Sequence, residues 1–152
     1  MKKLSKFFIT AIVGVLFFGI AYAQFTRPES AIAYRQSVMT IMGYHTAQMG
    51  AVVTGKKPYE KKAFSRNAAI VEMLATLPWQ AFMSPGSDKG KTELKPSAFK
   101  EKDKFLAKAK VLETETRKLV KAAAGDDFNA VKTQFGNVGK SCKSCHDAYR
   151  AR

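Results

Sequence analysis

Two cysteines and two histidines are the scarcest ligating side chains in this chain of 152 residues, and three of the four lie together. Cys142-Lys143-Ser144-Cys145-His146 spaces two thiols three residues apart and sets an imidazole directly after the second. On a helix, residues three and four apart share a face, so Cys142, Cys145 and His146 point one way. Each thiol can then add to a vinyl group of a porphyrin, and the imidazole reaches the iron from one side. This Cys-x-x-Cys-His pattern is the signature of covalent c-type haem attachment. The competing chemistries fit less well. A thioredoxin-like site expects a strand–helix–strand context, and zinc wants four ligands, usually in two pairs. A plain disulfide explains neither the adjacent histidine nor the apolar stripe on which the cysteines lie. His45 sits far away on another helix and reads as a structural or surface residue.

The thiols also bear on compartment. Lys2, Lys3 and Lys6 precede an uncharged apolar run from Phe7 to Ile20, and Ala21-Tyr22-Ala23 follows with small residues flanking a cleavage point. These are the three parts of a secretory signal peptide, so residues 1–23 are expected to be removed and 24–152 to form one mature domain. The apolar run is shorter than the roughly 20 residues that span a bilayer, and no later stretch is longer. The expected location is the periplasm, where c-type haem is attached. Composition is that of an ordinary globular protein, with 46% apolar and 25% charged residues. Lysine and arginine number 26 against 12 acidic residues. That excess predicts a solvated basic surface suited to acidic redox partner proteins; nucleic acid is not expected for an exported haem protein.

Four helical segments must position these groups, and no strand is expected. The first opens at Pro28-Glu29-Ser30, carries Ile32, Val38, Met39, Met42, Met49 and Val53 at helical spacing, and ends at Gly55. The second runs from about Tyr59 to Ala75 and stops before Pro78. Residues 84–96, with Pro85, Gly86 and Gly90, form the one long irregular loop. The third begins near Ser97 and keeps Phe105, Ala109, Leu112, Thr116 and Leu119 on one face, with Gly125 as its cap. The fourth, with Asp126 as expected N-cap, carries Phe128, Val131, Phe135, Val138, Cys142 and Cys145 in one stripe. Gly136 and Gly139 weaken it and would let a bulky group approach. Four amphipathic helices with mostly short connections predict an all-α, antiparallel up-down-up-down four-helix bundle.

The whole mature chain resembles the cytochromes c′. The resemblance rests on Cys142 to Arg150 near the C-terminus, on Tyr34-Arg35-Gln36, and on Leu77-Pro78-Trp79-Gln80-Ala81-Phe82. That family is a standard example of the up-down-up-down bundle. The resemblance implies one covalent haem c inside the bundle, held by Cys142 and Cys145, with His146 as axial ligand and a five-coordinate, high-spin iron. It makes Arg35 and Gln36 propionate ligands, Thr92 and Glu93 the haem-edge loop, and Met39 the distal residue. Arg150 would line the proximal pocket, and Trp79 and Phe82 would pack around the haem. It also implies a homodimer through the first two helices, with Ile41, Val52 and Ile70 as candidate exposed apolar positions.

Three functions follow from this reading. The first is binding of NO and CO in an apolar pocket, together with electron carriage. The alternative is a low-spin electron-transfer cytochrome in which the Met39 thioether, a soft donor, is the sixth iron ligand. An enzyme such as a peroxidase needs a distal acid–base residue, and none is placed on the Met39 side, so the expectation is no enzymatic activity.

Overall fold

The computed structural model describes residues 25–151. The proposed signal peptide, residues 1–23, lies outside the described residues. Four long helices form the frame: α1 (Pro28–Val53), α2 (Lys61–Leu74), α5 (Lys102–Ala124) and α6 (Phe128–Tyr149). Two single turns, α3 (Trp79–Phe82) and α4 (Ser97–Lys100), interrupt the long connection between α2 and α5. Neighbours in sequence pack against one another, α1 on α2, α2 on α5 and α5 on α6, and α6 closes against α1. This is the expected antiparallel bundle. Among the described residues there is no strand, and no helix is long and apolar enough to cross a membrane.

The apolar stripes explain the packing. Val38, Met42 and Met49 of α1 meet Phe64, Ala68 and Val71 of α2, Leu112 and Leu119 of α5, and Val131 and Val138 of α6 in one core. A second, smaller cluster joins Leu94, Ala98, Phe105 and Tyr149. His45 lies outside both, its Nδ1 2.7 Å from the Asn67 Oδ1, in the structural role expected of it.

Some local expectations change. The third helix is broken at Glu101 (φ −117°, ψ 41°), so α4 and α5 start separately. The break lets Ala98 and Phe105 both pack on Tyr149, whose hydroxyl donates to the Glu101 carboxylate at 3.1 Å. The N-cap of α6 is Asp127, not Asp126. The Asp127 carboxylate accepts from the Asn129 and Ala130 amides, while Asp126 pairs with Lys61 at 2.7 Å. Gly136 and Gly139 face open space on the exposed side of α6, so neither admits a bulky group to the interior. Ile41 is exposed as expected, but Val52 and Ile70 pack half-buried against the core. Removing the α6 cap with Asp127→Ala should cost about 1 kcal/mol, read as a lowered denaturant midpoint with an unchanged slope.

Candidate functional site

The fourth helix delivers its chemistry as the spacing requires. Cys142, Cys145 and His146 all line one cavity of about 1110 Å³ enclosed by α1, α3, α5, α6 and the 84–96 loop. Both cysteines are free thiols and half-buried. Burial pushes both thiols above the ordinary value, so they stay protonated at neutral pH. His146 is open to solvent on one side. Partial burial, and then the neighbouring Arg150 cation, hold its imidazole below the ordinary value, which keeps it in the neutral form that a metal requires. Among the described residues no three His, Cys, Asp or Glu side chains gather into a metal site of their own.

The facing walls are apolar. Met39 and Met42 come from α1, Trp79 and Phe82 from α3, and Phe105 and Leu112 from α5. Trp79 is fixed by its indole N–H, which donates to the Ala75 carbonyl at 2.7 Å, and its ring stacks on Phe82 and meets Phe105 edge-on. Met39 lines the cavity and also packs half-buried against the main core. A cavity of this size with an apolar lining suits a large flat ligand. Two thiols one helical turn apart and an imidazole beside them are the groups a covalent haem needs. The residues present therefore fit haem c: Cys142 and Cys145 would hold the macrocycle and His146 the iron.

The polar end of the cavity is built around Arg35. This residue is 1% exposed, and its guanidinium sits 4.8 Å above the Phe82 ring. Nη1 donates to the Ser87 hydroxyl at 2.9 Å, and Nη2 donates to the Ser87 carbonyl and to the Thr92 hydroxyl at 2.7 Å. Burial pulls its pKa down to about 10, opposed by the charge of Asp88, so it remains a cation at neutral pH. Gln36 Nε2 donates to the Lys91 carbonyl at 2.9 Å. Both residues assigned to haem propionates thus also anchor the 84–96 loop to α1.

The far end of that loop is tied to the end of α6. Leu94 bridges to Arg150, the Lys95 amide donates to the Tyr149 carbonyl at 2.9 Å, and the Ala151 amide donates to the Glu93 carbonyl at 2.7 Å. Glu93 Oε2 accepts from Arg150 Nε at 2.6 Å. Glu93, Arg150 and His146 line both the main cavity and a smaller one of about 300 Å³ behind it, so this pair lies beside the imidazole.

Every expected site residue reaches the main cavity, including Thr92 and Glu93. Sequence reasoning missed Ser87, whose hydroxyl is fully buried under Arg35, and nothing in its local sequence marks it. It also missed Lys108, which sits three residues after Phe105 and four before Leu112, beside the apolar stripe of α5. Arg35→Gln strips the loop of its buried anchor and leaves Ser87 and Thr92 short of donors. Stability should fall by about 2–3 kcal/mol, and limited proteolysis should begin cutting within residues 84–96.

The family model for cytochrome c′ matches residues 30–150. A cytochrome c′ from Alcaligenes xylosoxydans xylosoxydans is 38% identical over 129 residues, covering 85% of this chain and 99% of the relative. Cytochrome c prime from Shewanella frigidimarina superposes with a TM-score of 0.82 at 38% identity, covering 84% of this chain and 99% of that one. A nitric oxide complex of a variant cytochrome c prime from Alcaligenes xylosoxidans superposes with a TM-score of 0.78 at 37% identity, over 85% and 100% of the two chains. A match that spans nearly all the described residues, with relatives of this identity aligned end to end, places this chain in the cytochrome c′ family.

Proposed function

We propose that this chain is an exported haem protein that binds NO and CO at a five-coordinate, high-spin iron and can also carry electrons. Family membership brings the haem c, which supplies one redox-active iron with two axial faces. The observation that carries the reading is the pairing of walls: His146 on α6 stands at one side of the cavity, and Met39 on α1 is packed against the apolar core at the other. A packed, non-ligating side chain leaves the second axial face free but crowded. Met39 and Met42 on that side make it chiefly apolar, and such a face favours NO and CO over oxygen. The nitric oxide complex of a relative supports the same ligand class.

Export to the periplasm, with cleavage after Ala23, is supported by the charged start, apolar run and small residues at the chain's beginning. Assembly as a homodimer is supported by the exposed large apolar side chains Ile41 and Tyr44 on α1 and Met73 on α2. The basic surface suits acidic redox partners. No catalytic role is proposed, because the cavity's one buried arginine is committed to the loop and its one histidine would hold the iron.

A second reading has one specific observation behind it: the Met39 thioether shares the cavity with His146. If Met39 binds the iron, the centre is low-spin and electron transfer is the main role. Optical spectra of the ferric and ferrous holoprotein, with and without CO, separate the two. The expected result is a high-spin spectrum that shifts on CO addition and is nearly unchanged by Met39→Leu. A low-spin spectrum with a thioether-to-iron charge-transfer band, abolished in Met39→Leu, would overturn it.

A further inference from the structure

Six lysines lie on α5, and they are not held alike. Lys104, Lys110 and Lys118 are exposed, and each pairs with a glutamate three residues away. Their fields are neutralised at the source and screened by water. Lys108 differs. It is half-buried, its flanking turn residues Phe105 and Leu112 line the same cavity, and its Nζ donates at 2.6 Å to the Ser144 hydroxyl. Ser144 lies between the two cysteines of the attachment motif. The ammonium is therefore held by a neutral oxygen at the cavity wall, directly beside the segment that carries the haem.

A cation fixed there acts on the redox centre through space. Reduction adds one electron to the centre, and a nearby positive charge stabilises the electron-rich form. The Lys108–Ser144 bond is itself solvent-exposed, so the interaction comes from the closeness of the charge to the attachment segment and not from burial. Arg150, the cation beside His146, is offset by Glu93, whereas the charge of Lys108 has only a hydroxyl dipole against it. We propose that Lys108 is a potential-setting residue: its charge, positioned by Ser144, raises the reduction potential of the haem. This rests on the haem c assignment but holds for either state of Met39.

The test is spectroelectrochemical titration of the holoprotein and of Lys108→Met, Lys108→Arg and Lys121→Met. Lys108→Met keeps the aliphatic stem and removes the charge. Its one-electron reduction equilibrium should shift roughly tenfold toward the oxidised form, which is ~59 mV. Lys108→Arg should restore the wild-type value. Lys121 removes the same charge from an exposed site thirteen residues along α5, ~20 Å away, and its variant should leave the potential unchanged because salt screens that distance. Unaltered optical spectra and melting temperatures check that the variants fold, and Lys108→Gln repeats the measurement with a polar neutral chain if Lys108→Met does not. A potential indifferent to Lys108→Met and Lys108→Gln overturns the proposal, as does a Lys108→Arg variant that behaves like Lys108→Met. Failure of the haem assignment looks different: the wild-type protein would show no haem absorption.

Discussion

A charge taken out of water organises the site. Stripping the Arg35 guanidinium of solvent costs several kcal/mol, and the fold offsets this only by surrounding it with oxygens. Those oxygens come from Ser87 and Thr92, far along the chain from α1. Satisfying Arg35 therefore requires the irregular segment between α3 and α4 to fold back over α1. Once it does, Thr92 is fixed, Glu93 is presented to Arg150, and Leu94 meets the end of α6. One desolvated group in the first helix thereby determines what stands beside His146 in the last.

Much of the fold could be read from apolar spacing. The stripes through Val38, Met42 and Met49, through Phe105, Leu112 and Leu119, and through Val131, Val138 and Cys142 specify which faces are buried, and four such faces admit few arrangements. The grouping of Cys142, Cys145 and His146 on one cavity wall was legible for the same reason, since a short motif on a helix carries its own geometry. What the pattern hid was tertiary. Asp126 and Asp127 are equally good caps by type, and the start of α6 at Phe128, which makes Asp127 the cap, is not marked locally. The break at Glu101 follows from packing on Tyr149, some fifty residues later, and no local breaker announces it. Ser87 and Lys108 became visible only when distant segments met.

The cavity combines two regimes that its chemistry needs apart. Methionine and aromatic walls exclude water where a ligand would meet the iron. Arg35, Gln36 and Thr92 form a polar margin where charged groups of a macrocycle can be met. The exposed surface adds a broad positive field, since lysine and arginine clearly outnumber acidic residues.

The loop that joins residue 35 to residue 150 also has a history in time. A helical bundle forms mostly from contacts near in sequence and is quick to assemble. The ties of Arg35 to Ser87 and of Leu94 to Arg150 close across some fifty residues each, so their chain entropy is met only after the helices have gathered. The cavity wall that they build therefore depends on the gathered helices to hold its two ends in place.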